Sequence, residues 1–131
     1  MNTKLNKIFA EISAGELVDK LTILEIKKTK IVDPEKLKDV KKELNSLKKT
    51  LTETIGDTSK IDSMIKDLRE INLKLWDIED GKRLAEKNKD FGKNFIELAR
   101  NVYKFNDKRA DIKLLINNTL GSNIKEAKSY I

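Results

Sequence analysis

The chain contains no cysteine and no histidine, and only one proline, five glycines and seven aromatic residues among its 131 positions. The two zeros exclude the most. They leave no thiol nucleophile, disulfide framework, Cys/His zinc site, imidazole base or Ser-His triad. Any chemistry falls to carboxylates, ammonium and guanidinium groups, hydroxyls, a few rings and the backbone. No run approaches the ~20 apolar residues of a membrane span. Residues 1–12 also lack the apolar core of a signal peptide, so the expected location is the cytoplasm. The length predicts a single domain over residues 1–131.

What is abundant is charge. Lys and Arg number 28 against 22 Asp and Glu, for a net charge of +6. Residues 1–60 carry 13 basic and 10 acidic groups and residues 61–131 carry 15 and 12, so each half is +3. The signs alternate closely, as over Glu35, Lys36, Lys38, Asp39, Lys41, Lys42 and Glu43. Such mixing marks solvated helix faces. Nucleic acid, which needs a one-signed stripe, is not the expected partner. Of the basic residues 24 are Lys, beside 15 Ile and 11 Asn, the bias expected from AT-rich codons. The four arginines, Arg69, Arg83, Arg100 and Arg109, therefore carry more information, because lysine cannot replace the planar guanidinium fork.

Few breakers and much Lys, Leu, Glu and Ile predict an all-α protein, an antiparallel bundle of about four helices with a short tail helix. Ser13 and Glu16 form a capping box ahead of a helix over about 14–31, with Leu17, Leu21 and Leu24 on one stripe. Asp33-Pro34 is a second start signal. From it Leu37, Val40, Leu44, Leu47, Leu51 and Ile55 recur at helical spacing until Gly56. A third helix begins near Ser59 and either runs through Gly81 to about Lys87 or breaks at Asp80-Gly81. A fourth, about 91–118, carries Phe91, Phe95, Leu98, Val102, Phe105, Arg109, Ile112 and Ile116 at alternating steps of four and three. The tail helix follows Gly121-Ser122 and ends in Tyr130 and Ile131. The exposed apolar end of so long a fourth helix suggests a homodimer.

Polar residues at positions a core-facing stripe should fill with apolar ones are the candidates for function. On the third helix these are Asn72 and Glu79, with Trp76, Arg83 and Glu86 beside them. On the fourth, Arg109 interrupts the stripe, flanked by Tyr103, Asn106, Lys113 and Asn117. If the two helices run antiparallel, Glu79 and Arg83 approach Arg100 and Tyr103, and Arg109 approaches Asn72. The expected site is a polar seam binding a small anionic ligand through Arg100, Tyr103, Asn106, Arg109, Lys113, Asn72, Trp76 and Arg83. Glu16, Asp19, Glu79 and Asp80 could supply oxygen ligands for Mg²⁺, which favours one or two carboxylates plus substrate phosphates. In the competing reading the module is non-catalytic, mediates interaction or self-assembly, and uses its polar core only to set helix register. Taken singly, Glu79 and Arg83 read as an ordinary i,i+4 surface pair.

Four blocks are distinctive together: Glu16–Lys27 (ELVDKLTILEIK), Leu75–Asp80 (LWDIED), Phe95–Arg100 (FIELAR) and Asn106–Lys113 (NDKRADIK). With the Gly121-Ser122 tail they resemble a family of short all-helical bacterial and phage proteins of unknown function, over about residues 12–130. The resemblance implies a single helical domain. It associates Glu16, Asp19, Lys20, Trp76, Glu79, Asp80, Arg100, Tyr103, Asn106, Arg109 and Lys113 with the family pattern. It brings no activity, cofactor or substrate.

Overall fold

A computed structural model describes residues 3–129, and among them every regular element is a helix: α1 (Ala14–Lys30), α2 (Pro34–Thr54), α3 (Asp62–Lys87) and α4 (Lys93–Leu120). None is long and apolar enough to cross a membrane. Asp33 caps α2, its side chain accepting from the Glu35 N–H, with Pro34 opening the helix. α3 begins at Asp62, three residues beyond Ser59, and is unbroken at Gly81, where Leu98 of α4 packs close against the missing side chain.

α1 is the hub. It packs against all three other helices, whereas α2 packs on α1 alone and α3 pairs mainly with α4. Its two faces explain this. Leu17, Leu21 and Leu24 meet Val40 and Leu44 of α2 in a purely apolar layer. On the opposite face Val18 joins Ile61, Leu68 and Ile116 in a second cluster formed with α3 and α4. Burying each such side chain is worth roughly 1.5–3 kcal/mol, and α1 contributes to both layers. The register against α4 is antiparallel: Gly15 lies at Asn117, Glu16 at Lys113 and Asp19 at Arg109.

The start of α1 is capped by distant parts of the chain as well as by its own N-cap. The Ala14 N–H donates to Ser122 Oγ (3.0 Å), the Gly15 N–H to Asn117 Oδ1 (2.6 Å) and the Glu16 N–H to Ser13 Oγ (3.1 Å). The donors a helix leaves unpaired are thus satisfied where α1 meets α4. The expected capping box forms only by half. Ser13 caps, but the Glu16 carboxylate turns away to Lys113, because an ammonium offers it a stronger, charge-assisted partner than a neutral backbone N–H.

The tail is a correction. Residues 122–129 form no helix; Tyr130 and Ile131, where a tail helix was expected to end, lie outside the described residues. Gly121 takes the left-handed conformation (φ 66°) that closes α4, and the side chains beyond it serve other elements. Ser122 caps α1, Asn123 Nδ2 donates to Glu11 Oε2 (2.6 Å), and Glu126 accepts from Ser13 Oγ (3.3 Å). The tail is a strap across the start of α1, held by polar bonds.

Gly15 is where backbones meet most closely: a Cβ there would collide with the Lys113 carbonyl oxygen and crowd Asn117. Gly15→Ala should therefore cost about 1–3 kcal/mol in urea unfolding, the range for overpacking a tight contact, despite alanine's better helix propensity. Gly81→Ala, meeting only Leu98 methyl groups at 3.3 Å, should change stability by less than about 1 kcal/mol.

Candidate functional site

The centre of the polar region is Asp19, whose side chain is wholly buried. An isolated carboxylate there would cost several kcal/mol, so its surroundings must supply donors. Arg109 gives two from a fork: Nε donates to Oδ1 (2.9 Å) and Oδ2 (3.1 Å), and Nη2 to Oδ2. Asn72 Nδ2 donates to Oδ1 (2.9 Å) and to Thr22 Oγ (2.9 Å), and the Thr22 hydroxyl returns to the Asp19 carbonyl (2.8 Å). One carboxylate thereby ties α1 to both α3 and α4. Among the described residues no buried side-chain nitrogen or oxygen lacks a partner.

One turn toward the start of α1, Lys113 Nζ donates to Glu16 Oε2 (2.5 Å) and lies 3.4 Å from Glu126 and 3.9 Å from Asp19. Burial pushes the Glu16 carboxyl up, but the bonds to Lys113 and Glu126 and the charges of Lys113 and Lys20 together hold the group below its ordinary pKa. Burial likewise pulls the Lys113 ammonium down, and the bond to Glu16 with the nearby carboxylates raises it above its ordinary value. Arg109 is raised by its bond to Asp19.

Beside this network, on the side away from Lys113, a cleft of about 430 Å³ opens between α3, α4 and the middle of α1. Ile23 and Leu75 give it apolar walls, and Trp76 adds a half-buried ring. Arg83, Glu79, Asp80, Asn72, Asn106 and Arg109 complete it. With Nε and Nη2 committed to Asp19, Arg109 keeps Nη1 beside Asn106 Oδ1 at 3.5 Å, and both residues line the cleft. Glu79 pairs with Lys82 (3.5 Å) and not with Arg83. The i,i+4 pair expected from spacing does not form, and the Arg83 guanidinium is unpaired among the described residues.

Of the residues expected at a seam, Asn72, Trp76, Arg83, Asn106 and Arg109 come together at the cleft, with Glu79 and Asp80 on its rim. Arg100 and Tyr103 do not: both are exposed on the outer side of α4, because they fall half a turn from the stripe that faces α3. Lys113 belongs to the Glu16 pair at the start of α1, outside the cleft. Glu16 and Asp19 serve as ion-pair partners to Lys113 and Arg109. Among the described residues no group of three or more acidic side chains is placed to hold a metal ion. Thr22 and Ile23 were not expected at the site, because a threonine and an isoleucine inside an apolar helix look like core. Only the antiparallel register of α1 against α4, which sets Ile23 near Asn106, brings them to the site.

The chain belongs to a family of unknown function (DUF6165), whose model matches residues 8–131. No curated protein and no solved structure matches it.

Two outcomes follow from the network. Arg109→Met should cost about 3–5 kcal/mol in chemical denaturation by stranding Asp19, and Arg109→Lys should recover only part of that, since an ammonium cannot fork. The Glu16–Lys113 pair has a defined pH window. The depressed Glu16 pKa gives stability that is present above the ordinary carboxylate range and lost as pH falls through the depressed value. The raised Lys113 pKa gives stability that is present below the ordinary ammonium range and lost as pH rises through the raised value. The stability difference between wild type and Glu16→Gln should thus be flat at neutral pH and vanish at both extremes in pH-dependent melts.

Proposed function

We propose that this helical bundle, from a family with no assigned activity, binds a small anionic ligand in the cleft beside the Asp19–Arg109 network. The observation that carries the reading is the pairing of two guanidinium groups on one cleft. Arg83 is unpaired, and Arg109 is held rigidly by Asp19 with one nitrogen left over beside Asn106. A guanidinium immobilised by a buried carboxylate loses little entropy on meeting a carboxylate or phosphate. Trp76, Ile23 and Leu75 would pack the apolar body of the ligand, and the volume suits a molecule of metabolite size. Mixed charge in the lining favours a small ligand over a polyanion such as nucleic acid. Glu79 and Asp80 on the rim would lend carboxylates to Mg²⁺ if the ligand is a phosphate that carries the ion. The reading is one of binding and assigns no reaction.

The test is a thermal-shift panel of inorganic phosphate, sugar phosphates, nucleotides and dicarboxylates, each with and without Mg²⁺. At a hundredfold excess over Kd a true ligand should raise the melting temperature by roughly 5–10 °C. Arg83→Ala should abolish the shift and leave the ligand-free melting temperature unchanged, since Arg83 supports no fold contact. A panel without any shift, or a shift that survives both Arg83→Ala and Trp76→Ala, would refute the assignment.

A further inference from the structure

α4 carries a second stripe, on the side away from the core. Ile96, Tyr103, Ala110 and Leu114 recur at steps of seven, seven and four, and Ile96, Tyr103 and Leu114 are 46%, 58% and 43% exposed. A seven-residue repeat on one helix is the pattern of a helix–helix seam. Lys93, Arg100 and Lys104 flank the first half of this stripe, and Asp107 and Asp111 flank the second half on the same side. In the row nearest the stripe the signs are segregated, with Glu97 and Lys108 one row further out. Arg100 with Lys104 and Asp107 with Asp111 are like-charged i,i+4 pairs, which are unfavourable on an isolated helix. Lys93, Arg100, Lys104 and Asp111 form no ion pair among the described residues; Asp107 meets only Lys128, at 3.6 Å on the surface.

We infer that a second copy of this chain docks antiparallel along the outer face of α4, about a twofold axis at Tyr103–Lys104. In an antiparallel pair the same flank of each helix faces the other. Arg100 of each copy then meets Asp107 of its partner, twice by symmetry, and Ile96 falls opposite Ala110–Asp111. Lys93 comes within one turn of Asp111, and the two Tyr103 rings meet at the axis. The small side chains of Ala99 and Ala110 let the helices approach. The segregated charges that repel within one helix become attractive between two. A parallel pairing would turn this flank toward the opposite flank of the partner, where Ala99 and Asn106 offer no complementary charge. The tail strap lies beside Ala110 and Leu114, where Glu126, Ala127 and Lys128 border a shallow groove. The Ile96 side chain of the partner would reach that groove. The contact runs for about 27 Å of helix, at the low end for a specific interface, so the dimer is a concentration-dependent one.

The experiment is sedimentation equilibrium of the full chain, loaded from about 10 µM to about 1 mM so that mass action populates the dimer. Arg100→Asp and Asp107→Arg should each weaken dimerisation at least about tenfold by creating like-charge contacts. The double variant Arg100→Asp/Asp107→Arg should return to within about threefold of wild type, because the two 100–107 pairs are again opposite in sign and Lys104 at the axis is unchanged throughout. Lys128 cannot account for such a rescue, since reversing Arg100 leaves its pairing with position 107 untouched. Circular dichroism melts of all three variants check that the fold is retained. A wild-type chain that stays monomeric throughout overturns the proposal. A dimer that ignores both single reversals, or a double variant no better than the singles, places any association on another surface and overturns it equally.

Discussion

A single buried carboxylate sets the terms for this fold. Asp19 has no access to water, and an unpaired charge there would cancel much of the 5–15 kcal/mol by which a domain is usually stable. The chain must therefore bring Arg109 and Asn72 to it, and can do so only if α3 and α4 stand at one height and one rotation relative to α1. Apolar side chains would tolerate a slide of one helix past another. A forked guanidinium on a carboxylate does not, and a slide of one turn would leave both charges stranded. Register is the contribution such a pair makes best, since its net stabilisation against a well-packed apolar alternative is small.

The asymmetry of the bundle follows. Among the described residues α2 has no polar tie to α1 and meets it through aliphatic side chains alone. The α1–α4 contact is studded with them: Gly15 to Asn117, Glu16 to Lys113, Asp19 to Arg109. The close approach at Gly15 allows these short bonds, and the bonds repay the loss of a side chain at that position. The strap beyond Gly121 adds Ser122 and Glu126 to the same end of α1. The two termini of the described chain are thus fastened at the place where the first helix begins. α1 is specified by polar geometry on one face and by apolar area on the other.

Much of this was legible in the sequence, for identifiable reasons. Ser13 and Asp33-Pro34 are local signals whose physics acts within a few residues, so the starts of α1 and α2 fall where expected, whereas Gly121, read as opening a tail helix, instead closes α4 at Leu120. Arg109 and Asn72 stood out because each breaks an apolar stripe, and their proximity followed from folding α3 back on α4. What could not be read was the third helix in the contact. Nothing local to Asp19 shows that α1 inserts beside α3 and α4 with Asp19 at the meeting point, so the acid that organises the site looked like a possible metal ligand. Glu16 was misassigned for a related reason. Its local option, the capping box, was visible, and its better partner lay 97 residues away. The tail failed the same way, since Ser122 spends its hydroxyl on α1.

The arginines bear on what the molecule does. In a chain that fills nearly every basic position with lysine, four guanidinium groups stand out. Two have structural partners: Arg109 forks onto Asp19, and Arg69 reaches Glu25 across the α1–α3 contact at 3.1 Å. In both cases a guanidinium binds a carboxylate on another helix, Arg109 through its fork, which an ammonium cannot reproduce, and Arg69 through Nη2 alone. The other two, Arg83 on the cleft and Arg100 on the outer face of α4, have no such partner among the described residues. If composition drifts toward lysine wherever lysine suffices, an arginine without an internal partner points outward, to a group the chain does not itself contain. Arg83 opens on a cleft of metabolite size, and Arg100 on a flank whose charge pattern is complementary to its own reverse. The same logic that explains Arg109 from inside the fold thus supports both proposals, with Arg83 facing a ligand and Arg100 a second chain.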